Sequence, residues 1–217
     1  MPIQSDTVAS ASELEALRLV TYPVMEHFYT IQGEGAYTGY PAYFIRLGGC
    51  DVQCFWCDVK DSWDESKHPK ITVDELAKEV LASEAKIVVI TGGEPTIHNL
   101  EALTKVLHSI SVRTHIETSG SSLLTGEFDW VTLSPKKFKA PLESIYPFVD
   151  ELKVVVLRKN DFEYGESHAV KCVETARFLL QPEWDNQDDS LPMIIDYVKR
   201  YPKWSISLQT HKFMGVR

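Results

Sequence analysis

The sequence predicts an α/β protein: a mainly parallel sheet bent into a partial, open barrel, with helices on its outer side. Three observations carry this. Apolar, β-rich runs alternate with amphipathic helical patterns, the signature of βαβ units. The run Lys86–Thr91 (KIVVIT) is short and continuously apolar, as a strand covered on both faces should be. The complete units are too few to close an eight-fold barrel.

Residues 1–21 read as an N-terminal extension. Met1–Ala11 is polar and lacks the basic start and apolar run of a secretory signal, and Ser12 caps a short, weakly amphipathic helix through Glu13, Leu14, Leu17 and Leu19. Residues 22–217 read as one core domain. Val24–Ile31 and Ala42–Leu47 are strands by composition, and Val73–Ala82 has helical periodicity. Lys86–Thr91 is the buried strand, and Leu100–Ile110 the next helix. Arg113–Glu117, Asp129–Leu133, Glu151–Val156 and Arg177–Gln181 follow as strands. Asp189–Arg200 reads as a helix and Ser205–Gln209 as the last strand.

Composition narrows the function classes. The chain of 217 residues, 44% hydrophobic and 24% charged, can bury a core without disulfide staples. A formal net charge of −9 disfavours a general nucleic-acid binder. Lys136, Lys137 and Lys139 form the one dense basic cluster, either a local patch or a solvated loop. No stretch approaches the roughly 18 consecutive apolar residues of a membrane span, and the expected location is the cytoplasm. Of the four cysteines, three lie within eight residues, which in a reducing compartment marks a metal or redox site. Cys172 stands alone and reads as a small buried hydrophobe.

Polar motifs fall just past successive strands, where ligands gather in such folds: Thr91–Glu94 (TGGE), Glu117–Gly120 (ETSG), Ser134–Lys136 (SPK) and Gln181-Pro182. The central motif is Cys50-x3-Cys54-x2-Cys57. A structural zinc site usually takes four ligands, and a fully ligated [4Fe–4S] cluster takes four thiolates. Three cysteines therefore leave one iron open, unless Cys172, in a stretch with helical character, is a distant fourth ligand or His68 completes a Cys3His zinc site. Gly92-Gly93-Glu94-Pro95 begins 35 residues after Cys57. Its glycines permit close backbone approach, and its carbonyls or carboxylate can accept hydrogen bonds from an ammonium.

The cysteine spacing, with Trp56 before the last cysteine and GGEP downstream, resembles the radical S-adenosylmethionine (SAM) superfamily, and so a TIM-like partial barrel of that type. Phe28–Gly35 (FYTIQGEG), Arg46, TGGEP, SPK and Gln209–Lys212 (QTHK) are together similar to the 7-carboxy-7-deazaguanine synthase family, from about residue 24 onward. The resemblance implies a lyase of 7-deazapurine (queuosine) biosynthesis. In it Cys50, Cys54 and Cys57 hold a [4Fe–4S] cluster whose open iron binds SAM. A 5′-deoxyadenosyl radical takes hydrogen from carbon 6 of 6-carboxy-5,6,7,8-tetrahydropterin, the ring contracts, ammonia leaves and SAM is regenerated.

By position, Ile31, Gln32, Gly33, Arg46, Thr91 and Arg217 would face the pterin, Arg46 pairing with its carboxylate. Trp56, Asp58, Gly93, Glu94, Ser134, Pro135, Lys136, Gln181, Pro182, Glu183 and Trp184 would line the SAM site. A flavodoxin or ferredoxin as electron donor and a homodimer are also implied. Two positions depart from the family. Where a Thr or Ser hydroxyl would ligate Mg²⁺, Val59 offers no oxygen, leaving Asp58, Asp61 or water as substitutes if the ion binds at all. Where the family often ends in proline, this sequence has Arg217. A glycyl-radical activating enzyme and a zinc-loop binding module are the alternatives.

Overall fold

The computed structural model describes residues 10–217. Helix α1 (Ala11–Arg18) leads into strand β1 (Thr21–Ile31), which pairs antiparallel with β2 (Pro41–Leu47) and, at its start, with the short β3 (Lys70–Thr72). From β2 outward every neighbour is parallel: β4 (Ile87–Gly92), β5 (Arg113–Thr118), β6 (Trp130–Leu133), β7 (Glu151–Val156), β8 (Arg177–Pro182) and β9 (Trp204–Ile206). The order β3-β1-β2-β4-β5-β6-β7-β8-β9 leaves β3 and β9 as edges, so the mainly parallel sheet stays open, as expected.

Helices α2 (Val73–Ala82) and α3 (Glu101–Ser109) pack one half of the sheet. Helix α2 starts at a capping box between Thr72 and Glu75. It turns Val73, Leu76, Ala77 and Val80 inward at the three-to-four spacing of an amphipathic helix. They share a core with Leu103, Val106 and Leu107 of α3 and with Ile45, Val88, Ile90 and Ile116 of the strands. The other half is covered by α4 (Asn160–Ala169) and α5 (Gln187–Arg200), with Leu133, Leu152, Val154, Leu180, Ile194 and Trp204 at its centre. No helix among the described residues is long and apolar enough to cross a membrane.

The structure departs from the sequence reading at several elements. Helix α1 is capped by Ser10, not Ser12: the Ser10 and Glu13 side chains satisfy each other's backbone N–H groups, which puts Ser12 inside the helix. Its Leu14 and Leu17 pack against the core. The part of Met1–Ala11 up to residue 9 lies outside the described residues. In the sequence, helix α4 shows only as helical character in the stretch around Cys172, without bounds, because its apolar stripe is weak and Gly165 interrupts it. The helix packs closely at this point: a Cβ on Gly165 would stand 3.2 Å from the buried Trp204 ring, which would have to give by a few tenths of an ångström. The last strand is Trp204–Ile206 rather than Ser205–Gln209, and a short helix, α6 (Thr210–Met214), follows it. Past Ile206 the chain leaves the sheet, and Ser207 and Gln209 turn to Gln181 and Glu34 at 2.8 Å each.

Candidate active site

The carboxyl ends of the parallel strands open into one cavity of about 380 Å³. The cysteine loop, which leaves β2 through Gly48 and Gly49, forms one wall. The β4 loop is stitched onto it: Gly93 and Glu94 donate N–H bonds to the carbonyls of Leu47 at 3.0 Å and Gly49 at 2.8 Å. The glycines are required by this approach. Gly92 has φ +145°, and a Cβ there would meet the Leu47 carbonyl at 2.2 Å. A Cβ on Gly93 would meet the Gly49 carbonyl at 2.2 Å and Cys50 Cβ at 2.8 Å. Main chain on both sides cannot yield, so the GGC and GGE segments are two halves of one joint.

Cys50, Cys54 and Cys57 all border the cavity. Backbone N–H groups of Gln53 and Val59 point at the sulfurs of Cys50 and Cys57, at 3.5 and 3.4 Å. Burial pushes the Cys54 thiol up to about 11, and the nearby Lys136 charge works against that. Lys136 is held by the Ser134 carbonyl at 2.7 Å and hydroxyl at 2.6 Å, its ammonium 5.6 Å from the centre of the Trp56 ring. Burial lowers its pKa. Lys137 and Lys139, by contrast, pair with Asp161 and Asp51 at 2.5 Å each.

Glu94 is 2% exposed, and both its oxygens are occupied. One accepts from Thr96 N–H at 3.1 Å, from the Thr96 hydroxyl at 2.7 Å and from the Thr118 hydroxyl. The other accepts from Ser119 N–H at 2.7 Å and the Ser119 hydroxyl. The carboxylate thus locks the loop after β4 to the end of β5. Of the two acceptor types the sequence offered, its main-chain carbonyls are the ones left for a ligand.

A buried charge network fills the opposite side. Lys153, 4% exposed on β7, pairs with Glu34 and lies 3.6 Å from Glu117. Gln32 donates to Glu117 at 3.1 Å, and Gln209 to Glu34 at 2.8 Å. Burial alone would raise the Glu34 carboxyl. The charge and hydrogen bond of Lys153, with Gln209 and Gln181, more than offset it and bring the pKa to about 2. Burial also works against the Lys153 ammonium, but Glu117, Glu34 and Glu151 raise its pKa on balance. Glu151, 2% exposed, is raised by burial and accepts the Ala36 N–H at 2.7 Å. Thr210 closes the end of the chain onto Gly33, its N–H and hydroxyl both 2.9 Å from the Gly33 carbonyl.

Comparison with known proteins decides what this cavity belongs to. Residues 44–177 match the Radical SAM superfamily. The chain is 46% identical over 208 residues to the 7-carboxy-7-deazaguanine synthase of Synechocystis sp., a match that covers 96% of this chain and all of that one. It is 33% identical to the enzyme of that name from Escherichia coli, covering 90% of this chain and 99% of the other. The crystal structure of QueE from Escherichia coli superposes with a TM-score of 0.81 at 31% identity, covering 92% and 99% of the two chains. The chain belongs to the 7-carboxy-7-deazaguanine synthase family of radical SAM enzymes.

That family implies a [4Fe–4S] cluster and SAM, and the donor set fits them. Three thiols share one loop, N–H groups face two of the sulfurs, and a glycine-only joint lets the backbone approach closely. The zinc alternative finds less here: His68 is tied to the Asp61 carbonyl at 2.8 Å and does not border the cavity. Cys172 lies apart too, packed into the second core with its thiol 3.5 Å from the His168 carbonyl and pushed up to about 11 by burial.

The cavity brings together Ile31, Gln32, Gly33, Arg46, Thr91 and Arg217 with Trp56, Asp58, Gly93, Glu94, Ser134, Lys136, Gln181, Pro182, Glu183 and Trp184. Pro135 is buried without bordering it. The Mg²⁺ donor set expected of the family does not fit. Val59 has no side-chain oxygen, its carbonyl is taken by the Ser62 N–H at 3.1 Å and hydroxyl at 2.7 Å, and the Asp58 carboxylate is met by Lys212 at 3.3 Å. Glu26, Glu117 and Lys153 received no role in the sequence reading. Lys153 alone had a signal, a lysine inside the apolar strand ELKVVV.

Proposed function

We propose that this chain converts 6-carboxy-5,6,7,8-tetrahydropterin to 7-carboxy-7-deazaguanine, with loss of ammonia. The observation that carries this is one cavity in which the three-cysteine loop, the GGE joint and Arg46 meet a cluster of buried carboxylates and amides. Cys50, Cys54 and Cys57 hold the cluster. The reduced cluster and SAM, when bound, supply the 5′-deoxyadenosyl radical. The carbonyls of the Gly92–Glu94 loop accept the amino group of SAM, while Ser134, Lys136 and the Gln181–Trp184 segment line the rest of its site. Trp56 packs near the adenine.

Ile31, Gln32, Gly33 and Thr91 bind the pterin ring through backbone and amide or hydroxyl groups, and Arg46 pairs with its carboxylate. No step is assigned to Mg²⁺. A flavodoxin or ferredoxin donor, a homodimer and a cytoplasmic location belong to the same reading.

The test is anaerobic reconstitution followed by iron and sulfide analysis and product detection by mass spectrometry. The expected result is about four irons per chain with a broad brown absorbance, and 7-carboxy-7-deazaguanine formed from the tetrahydropterin. Replacing Cys50, Cys54 or Cys57 by Ala abolishes both, whereas Cys172→Ala keeps both. Stoichiometric zinc without iron would refute the cluster assignment. A loaded protein that releases deoxyadenosine only with a partner protein would refute the substrate.

A further inference from the structure

We propose that Glu26 is a positioning residue that sets a two-arginine clamp for the substrate carboxylate, with Arg46 as one arm and Arg217 as the other. This rests on the reading above that the substrate carries a carboxylate.

Glu26 on β1 stands directly across from Arg46 on β2. One carboxylate oxygen accepts from Arg46 Nε at 2.9 Å, and the other accepts from a terminal nitrogen of Arg217 at 2.6 Å. Alternate residues of a strand share a face, and on this face of β1 three in succession hold Arg217. Glu26 takes its guanidinium. Phe28 lies beneath it, 4.8 Å from ring centre to guanidinium carbon. The Thr30 hydroxyl donates to its main-chain oxygen at 3.0 Å. Phe28 is in turn stacked on Phe44 at 5.6 Å.

Arg46, Arg217, Phe28 and Phe44 all border the cavity, and Glu26 stands behind them. A guanidinium carries five N–H donors. Among the described residues, the hydrogen bonds to Glu26 use one nitrogen of each arginine. Both guanidinium forks therefore keep spare donors. Arg46 is only 19% exposed at its side chain, so its spare donors look onto the cavity rather than bulk water. An ion pair as open as Arg217–Glu26 adds little to stability, so its value lies in where it points the guanidinium.

The test compares wild type, Arg217→Met, Arg217→Lys and Glu26→Gln, all cluster-loaded and with SAM. Steady-state kinetics are measured on the tetrahydropterin. Equilibrium binding is measured for 7-carboxy-7-deazaguanine and for 7-deazaguanine, which lacks the carboxylate. Losing one charge-assisted contact raises KM by about tenfold in Arg217→Met with a far smaller change in kcat. It also weakens the carboxylated ligand by about the same factor and leaves 7-deazaguanine binding unmoved. Arg217→Lys recovers part of the loss, and Glu26→Gln, which keeps both arms but loosens them, weakens only the carboxylated ligand. Equal weakening of both ligands, or no change in either, with an active wild type would overturn the clamp alone. A loaded wild type that neither turns over nor binds either ligand would sink the functional reading, and the clamp with it.

Discussion

Lys153→Met should be among the most destabilising single changes in this molecule. The side chain is almost fully buried and faces Glu34, Glu117 and Glu151. Removing one partner from a buried ion pair costs roughly 3–5 kcal/mol, because the remaining charge is stranded. Glu34 gives a consistent figure. Its fall from 4.5 to about 2 corresponds to about 3 kcal/mol favouring the ionised form. For a chain of this length that converts to a melting temperature lower by roughly 6–20 °C.

The sign with pH follows from the same group. In the wild type Glu34 is held below its ordinary pKa, so its contribution is present above pH 4.5 and lost only as pH falls through about 2. Without Lys153 burial dominates, the carboxyl moves upward, and the folded variant takes up a proton that the unfolded chain does not. The deficit of Lys153→Met is therefore largest near neutrality and narrows toward pH 5. Thermal and urea unfolding of cluster-free protein at pH 7 and pH 5 measures both. The double variant Lys153→Met/Glu34→Gln should be less damaged than Lys153→Met alone. A melting shift under about 2 °C, or a double variant worse than the single, would refute the picture of a stranded buried charge.

Three further outcomes are expected. Gly93→Ala places a Cβ where the Gly49 carbonyl stands 2.2 Å away, so iron retention should collapse, whereas Gly39→Ala, with nothing within 4 Å of its Cβ, should keep its iron; equal iron in both would refute the joint. His115 and His168, buried and lowered from 6.5 to about 4 by that burial, stabilise the fold above pH 6.5 and lose that contribution as pH falls toward 4; His168→Gln should flatten the pH dependence of urea midpoints across that window, and an unchanged slope would show that His168 is not held neutral. Turnover should survive chelation of Mg²⁺ in the wild type and acquire Mg²⁺ dependence in Val59→Thr, whereas a strongly Mg²⁺-dependent wild type would reveal an oxygen ligand set other than the usual hydroxyl.

What could be read from the sequence follows what is local in it. Lys86–Thr91 and Val73–Ala82 announce themselves by composition and period, and the structure places strand and helix there within a residue. Glycine-flanked cysteines and the GGEP tetrad are contiguous, so their chemistry could be read without a fold. Helix α4 could be read only as helical character near Cys172 and not bounded, because Gly165, packed near the Trp204 ring, weakens its local pattern. The last strand was misplaced because Ser207 and Gln209 look like an alternating strand end, while their side chains are spent on Gln181 and Glu34.

The cavity accordingly has two kinds of wall. The sulfur wall is built by neighbours in sequence: Gly48 to Cys57 on one loop and Gly92 to Glu94 on another, locked by main-chain bonds that only glycine allows. The charged wall is built by the sheet. Glu34 meets Lys153 across 119 positions and Gln209 across 175, while Glu26 meets Arg217 across 191. No spacing rule links such residues. A barrel-like arc links them, because it brings the segment after β1, the middle of β7 and the segment after β9 to one cavity. A lysine within an apolar strand is the local trace of that convergence. Its charge is unaffordable in a core unless partners arrive from elsewhere, so Lys153 in ELKVVV already implied carboxylates from distant strands, though not which ones.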